Sequence, residues 1–418
     1  MRTLLKNPAQ IVTVATTGKN FKRGKDLQEI SVLENHSLIF EDDTIKDLIP
    51  NASIINESGY KIIDVKDKIV LPGLIECHTH TAFAGSRANE FRLKLAGTSY
   101  EEIAKLGGGI NTTATAVRNA SLIELVQLIS PRIKYFIAQG ITSLEIKSGY
   151  GLNFENEIKL LQVIQHLQKI FPITIIPTFL GAHTFPNGTE HLHDVYLEEI
   201  NQKMLPFIAE HKLAKFCDGF CESTAFSADE IDIVFSRAKA LGLNLKLHTD
   251  QFNTIGGINI ALKHHAVSID HLEVIKEEDI AKVAQSDTVA VLLPGVSFFL
   301  NYEYAPARKL IDTGAIVALS TDYNPGSSNI AQLNFIMSLA AIKMKMSIEE
   351  TISAVTINAA HALSLSKEVG SLEVGKKADL AVFNTNDYAN IVYNVGQNLN
   401  EMTIKNGSII FQNKFQES

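Results

Sequence analysis

Two textures of apolar and polar positions divide the chain. Through residue 68 the apolar runs are short, at 11–15, 37–40 and 61–64, with turn residues at Asn51 and Gly59, which predicts β segments and no long helix. From Ile69 onward, apolar runs of strand length alternate with helix-length amphipathic segments, the pattern of parallel β/α units. Eight strands are predicted, at 69–80, 141–146, 173–183, 214–222, 243–248, 266–271, 288–293 and 316–322, and the segments 122–139, 154–169 and 227–241 read as helices. Gly140 and Gly242 stand at C-cap positions, and Ser227 with Glu230 forms a capping box. Eight such units close a (β/α)8 barrel of the TIM type, so the expected fold class is α/β. The chain turns β-like again at 370–383 and 403–411, and these strands are expected to pair with the N-terminal ones. The domain division that follows is a barrel over 69–363 and a small β-sandwich composed of 1–68 and 364–418.

Composition mainly excludes. With 418 residues, 45% hydrophobic and 20% charged, the chain is an ordinary globule large enough for a barrel and an accessory domain. A formal charge of −8 without any block of like charge argues against a nucleic-acid partner. The N-terminal run is broken by Lys6, Asn7 and Pro8, and no later run reaches membrane-spanning length, so no membrane partner and a cytoplasmic location are expected. Cys77, Cys217 and Cys221 are too few and too ill-spaced for a disulfide framework or a zinc ribbon, and read as small buried residues. Gly107, Gly108 and Gly109 lack the lysine and hydroxyl of a phosphate loop and read as a flexible flap.

In a barrel of this type chemistry gathers at the C-terminal ends of the strands. Strand one ends in His78 and His80, which share a face while Thr79 points away. Strand three ends in His183, strand four in Glu222, strand five in His248, strand six in Asp270 and His271, and strand eight in Asp322. With 13 His in 418 residues, a His-x-His pair alone is close to chance, and a second one, His191 and His193, sits in a polar turn region. A lone histidine is more often a satisfied core residue than a ligand. The shared position of so many ionisable groups at strand ends is what points to a metal site.

The runs IVLPGLIECHTH, LKLHTDQF, SIDHLE, VALSTDYNPGSS and GSLEVGKKADLAVF resemble the amidohydrolase superfamily over nearly the whole chain. Within it, CHTHTAFAGSRANEF, GGGI, EIKSGYG, FLGAH and STDYNPGSS resemble the branch that opens an imidazolone ring in histidine degradation. The resemblance implies a distorted barrel flanked by a small β-sandwich. It implies a divalent metal held by His78, His80, His248 and Asp322, a donor set that suits zinc or iron(II). One metal ion per chain is expected, because the fourth strand's only lysine, Lys215, lies at the end away from a bridging position. The implied reaction is hydrolysis of the cyclic amide of 4-imidazolone-5-propanoate to N-formimidoyl-L-glutamate.

The implied partner is a small anionic imidazolone, with a second copy of the chain, as a homodimer, the one protein partner considered. Arg87 carries a fork that matches a carboxylate, and against the plain alternative of a surface salt bridge the resemblance assigns it the propionate, together with Tyr150 and His183. Asn324, Gly326 and Ser327 follow strand eight, where amide and backbone groups are expected to bond the ring or the carboxylate. Gln251 stands where an acid is expected in relatives. Glutamine can bond a ring but cannot shuttle a proton, which leaves Asp322 and His271 as candidates for the general base. A deaminase of a small cyclic amidine and a catalytically inactive relative are the other classes considered. The pair Arg87 and Tyr150 speaks against the first, and the intact set of ligands against the second.

Overall fold

The computed structural model describes residues 1–97, 108–186 and 193–413. The N-terminal strands are β1 (Arg2–Lys6), β2 (Gln10–Val12), β3 (Val32–Leu33), β4 (His36–Glu41), β5 (Thr44–Pro50), β6 (Lys61–Asp64) and β7 (Ile69–Pro72). The barrel strands are β8 (Leu74–Glu76), β9 (Ile141–Lys147), β10 (Thr174–Ala182), β11 (Phe216–Cys221), β12 (Asn244–Thr249), β13 (Ser268–His271), β14 (Val289–Leu292) and β15 (Ile316–Leu319). The chain ends with β16 (Leu380–Phe383), β17 (Asn400–Lys405) and β18 (Ser408–Gln412).

β8 to β15 form one eight-stranded sheet in sequence order, and every pairing within it is parallel. Just beyond β8 and β15, Thr79 bridges Tyr323 in parallel and the His80 N–H bonds the Tyr323 carbonyl at 3.0 Å, which closes the barrel at its C-terminal end. The helices that cover it follow the predicted signals. Leu122–Ile137 and Ala228–Ala240 each start on a capping box, Ser121 with Glu124 and Ser227 with Glu230. Asn153 caps Phe154–Ile170 by accepting the Asn156 N–H. Gly140 and Gly242 follow their helices at φ of 91° and 84°, a conformation that costs glycine nothing.

Both chain ends build the remaining sheets. One has the order β5-β4-β1-β6 and the other β18-β17-β16-β7-β2-β3. Leu5, Leu38 and Phe40 of the first share a buried cluster with Val70, Leu380, Val382 and Ile404 of the second, so the two sheets face each other across one apolar layer.

The predicted single strand at 69–80 is in fact two. Ile69–Pro72 pairs with β16 and β2 in the six-stranded sheet, and only Leu74–Glu76 pairs with β9 in the barrel. The change of sheet happens at Gly73, whose N–H bonds the Asp379 carbonyl at 2.8 Å. A β-carbon there would lie 2.3 Å from the Thr142 methyl, so the crossing is open only to glycine. The predicted run at 403–411 is likewise a hairpin, turning at Asn406 and Gly407 between β17 and β18. Among the described residues no helix is long and apolar enough to cross a membrane.

Candidate active site

Strand periodicity fills the upper barrel with charge. Glu145 and Lys147 on β9, Asp218 on β11, Lys246 on β12 and Asp270 on β13 are all fully buried and in ionic contact with one another across the barrel interior. Above this layer lie the predicted ligands. His78, His80 and Asp322 offer ligand atoms all within 4.8 Å of one another, and so do His78, His248 and His271. His271, Leu272 and Asp322, at or just beyond the ends of β13 and β15, have φ of 90°, 70° and 49°, a left-handed backbone that costs non-glycine residues roughly 1–3 kcal/mol each.

The hydrogen bonds decide which nitrogens are available. His78 donates its Nδ1–H to Asp270 Oδ2 at 2.5 Å, and His248 donates its Nδ1–H to Asp218 Oδ1 at 3.0 Å, which leaves a lone pair on each Nε2. His248 Nε2 lies 3.3 Å from His80 Nε2, and Asp322 Oδ1 lies 3.3 Å from His80 Nε2 and 3.4 Å from His78 Nε2. Burial holds the His80 imidazole well below its ordinary value and pushes His248 down to about 3. His78 Nε2 and Asp322 Oδ1 have no hydrogen-bond partner among the described residues. The bare Nε2 lone pairs of His78 and His248 converge with the Asp322 oxygen and with neutral His80, and such a cluster of N/O donors with carboxylate-backed imidazoles fits a divalent metal.

A cavity of about 530 Å³ opens over these groups. It is lined by His80, His248, His271 and Asp322 and also by the predicted substrate residues Arg87, Tyr150, His183, Gln251, Asn324, Gly326 and Ser327. His183 stacks on His80 at 5.3 Å between ring centroids and donates Nδ1–H to the Gly149 carbonyl at 2.9 Å. Tyr150 is buried beside it, with 5.5 Å between the rings. Arg87 precedes the helix Ala88–Leu95 and is gripped by Glu90, at 2.9 Å from Nε and 2.8 Å from Nη2.

Residues 69–410 match the model of the amidohydrolase family. An imidazolonepropionase of Clostridium tetani is 41% identical over 415 residues, covering 99% of both chains. One of Flavobacterium johnsoniae is 41% identical over 411 residues, 98% of this chain and 100% of that one. The chain belongs to the amidohydrolase family, among the imidazolonepropionases. Solved structures share the fold at low identity. Guanine deaminase of E. coli has a TM-score of 0.74 at 12% identity, covering 99% of this chain and 100% of that one. A zinc-bound adenosine deaminase of Xanthomonas campestris has 0.71 at 16%, covering 97% and 92%.

Several predicted residues of this amidohydrolase do something more local than expected. Asn324 Oδ1 accepts the N–H groups of Gly326 and Ser327 at 2.8 and 2.7 Å, and its Nδ2 donates to the Asp322 carbonyl at 2.7 Å. Its amide is therefore used to shape its own loop. Glu222 does not join the ligand groups. Its Oε1 accepts the N–H groups of Gln251 and Phe252 at 2.9 Å each and of Asn253 at 3.3 Å, so it clamps the loop that carries Gln251. Gln251 in turn donates to the Tyr302 hydroxyl at 3.1 Å. Glu157 does for the Tyr150 loop what Glu222 does for Gln251, accepting the N–H groups of Gly149, Gly151 and Leu152 at 2.9, 2.6 and 3.1 Å.

Sequence reasoning missed Lys94 and Tyr302, which line the cavity, and Glu273, whose Oε1 lies 3.4 Å from His271 Nδ1. It also missed Glu145, Lys147, Asp218 and Lys246. For Glu145, Lys147 and Lys246 a signal was present, since Glu145/Lys147 and Lys246/His248 are polar pairs at strand spacing inside apolar runs. Lys94 and Tyr302 come from surrounding segments and had none. Of the predicted flap, Gly107 lies outside the described residues, while Gly109 precedes the helix Ile110–Asn119, whose Ile110 lines the cavity. His191 also lies outside them, and His193 stacks on Phe185 at 3.5 Å, apart from the ligand groups. A larger cavity of about 810 Å³ is lined by residues that precede β13 and β14, such as His265, Val267 and Asp287, at the opposite end of those strands. None of the candidate ligands reaches it.

Proposed function

We propose that this chain hydrolyses the ring amide of 4-imidazolone-5-propanoate to N-formimidoyl-L-glutamate, in histidine degradation, with one zinc or iron(II) ion held by His78, His80, His248 and Asp322. The observation that carries the reading is the convergence of the His80 and His248 Nε2 atoms and an Asp322 oxygen at a cavity that Arg87 also lines. Such a cation lowers the pKa of a coordinated water towards ~7 and withdraws charge from a carbonyl. The remaining roles fall to side chains. Arg87 binds the propionate through its guanidinium, helped by the Tyr150 hydroxyl and by His183, whose Nδ1–H is already bonded to Gly149 and whose Nε2 is left for the substrate. Gln251 and the backbone of the loop through Gly326 and Ser327 orient the ring. The Asp322 carboxylate takes a proton from the attacking water, and His271 Nε2 relays it to the departing nitrogen. The water oxygen bonds to the ring carbonyl carbon, the bond from that carbon to nitrogen breaks, and the nitrogen gains the proton. His271 suits a relay: burial disfavours its charged form, but the neighbouring Glu273 outweighs this and raises its pKa above the ordinary value.

In this reading residues 69–363 form the catalytic barrel and 1–68 with 364–418 the sheets behind it, with Ile69–Pro72 lent to the latter. The test is an ultraviolet assay of imidazolone consumption on protein of known metal content. Turnover that rises with metal occupancy towards one ion per chain is expected. Absence of turnover in the loaded protein, or turnover only of an uncharged cyclic amidine, would overturn the proposal.

A further inference from the structure

The charged layer inside the barrel lies deeper than the cavity and cannot touch a substrate in it. It consists of five fully buried ions from four strands. From one ligand the contacts run from His248 Nδ1 to Asp218 Oδ1 at 3.0 Å, from Asp218 Oδ2 to Lys147 Nζ at 2.8 Å, and from Lys147 Nζ to Glu145 Oε2 at 2.8 Å. They continue from Glu145 Oε1 to Lys246 Nζ at 3.7 Å, from Lys246 Nζ to Asp270 Oδ2 at 3.8 Å, and from Asp270 Oδ2 to His78 Nδ1 at 2.5 Å. Both ends of this line are imidazoles of the candidate metal centre. Lys246 Nζ also donates to the Cys77 carbonyl at 3.2 Å, directly before His78. Thr178 Oγ1 donates to Glu145 Oε1 at 2.5 Å, which fixes the shared carboxylate.

Burying ions in a barrel interior is expensive, and well-packed apolar side chains would stabilise the fold at least as well. The layer therefore needs a reason other than stability, and its two ends supply one. An anionic acceptor on Nδ1 fixes the tautomer and the direction of a ligand imidazole and makes its other nitrogen a better donor. The acceptors here can stay anionic in the interior only because an ammonium group faces each of them. We propose that Lys147 and Lys246 are positioning residues of the metal centre, acting through Asp218 on His248 and through Asp270 on His78. This rests on the ligand set proposed above. Lys147 carries the stronger link, because it contacts its aspartate a full ångström more closely than Lys246 does.

The test uses Co²⁺ as the probe on the full chain stripped of metal. Affinity is read by competition with a chelating dye, geometry by the visible absorption of bound Co²⁺, and fold by thermal melting of the metal-free protein. Lys147→Met should weaken Co²⁺ binding on the order of 10–100-fold and shift the Co²⁺ bands. Asp218→Asn should weaken it as well. Once Asp218 is neutral, the added Lys147→Met should change affinity less than about threefold, since Lys147 has lost the group it acts through. That comparison of Asp218→Asn with the double variant stands even if the single Lys147→Met does not fold. The proposal is overturned if Lys147→Met binds Co²⁺ with the native affinity and spectrum while melting lower, which is a structural role alone. It is overturned equally if the double variant binds ten times more weakly than Asp218→Asn. Failure of the unaltered chain to bind one Co²⁺ would instead refute the ligand set on which the proposal depends.

Discussion

Arg87 occupies the space that a side chain at position 326 would need. A β-carbon built on Gly326 lies 2.0 Å from Nη1 of Arg87 and 2.9 Å from its guanidinium carbon. The guanidinium thus rests on the loop after β15 with Glu90 gripping it from the side, and its direction into the cavity is set by both.

Arg87→Ala removes a bidentate partner for a partly desolvated carboxylate and should cost on the order of 2–4 kcal/mol in kcat/KM for the propionate substrate. An analogue lacking the carboxylate should hardly respond. Specificity constants for both compounds check this, and equal losses on the two would assign Arg87 to the fold or the metal centre.

Gly326→Ala is the gentler version of the same experiment. The clashing atom is the end of a flexible side chain, so Arg87 moves and the fold survives. A shift near an ångström at a substrate anchor is worth up to about 100-fold. The expected result is a raised KM for the propionate substrate with an unchanged melting temperature. A variant with native kinetics would show that the position of Arg87 over Gly326 is not used.

Asp322 and Gln251 should separate cleanly. Asp322→Ala removes a candidate ligand and proton acceptor at once and should lower turnover by at least ~1000-fold, whereas Gln251, whose amide donates to Tyr302, can only orient, and Gln251→Ala should cost about tenfold or less. If the Gln251 variant proves the more damaged in steady-state assays, the base has been assigned to the wrong residue.

Most of the barrel is readable from the sequence because its strands are buried on both faces and appear as apolar runs, and because glycine and capping-box signals mark where helices stop and start. The small sheets are less legible. β5 alternates Ile45 and Leu48 with charged residues and is largely exposed past Ile45, so its pattern is that of a loop. The division at Gly73 is invisible for a different reason: the residues on either side of it, Ile69–Pro72 before and Leu74 and Ile75 after, are equally apolar, and the change of sheet shows only in their strand partners and in the close approach of Thr142 to Gly73. At the site, ligands that end strands were foreseeable. The uses of Glu157 and Glu222 were not, because a carboxylate that gathers three backbone N–H groups does so through loop geometry that has no linear signature.

The last prediction concerns pH, where two buried groups pull in opposite directions. Burial pushes His248 down to about 3 from 6.5, so in metal-free protein the unfolded chain takes up this proton first as pH falls. The stability that His248 contributes is therefore fully present above 6.5 and lost as pH falls towards about 3. Burial pushes Glu76 up to about 8 from 4.5, although the Thr321 N–H bonds its Oε1. Its contribution has the reverse sign, fully present below 4.5 and lost as pH rises through about 8. Because the two overlap between pH 4.5 and 6.5, a melting curve of the native chain alone blends them, and variants are needed to separate them. On the metal-free protein, the melting temperature of the native chain relative to His248→Gln should fall as the pH is lowered below 6.5. Relative to Glu76→Gln it should fall as the pH is raised from 5 to 9. A difference that stays flat across either range would mean that the group concerned titrates alike in the folded and unfolded chains.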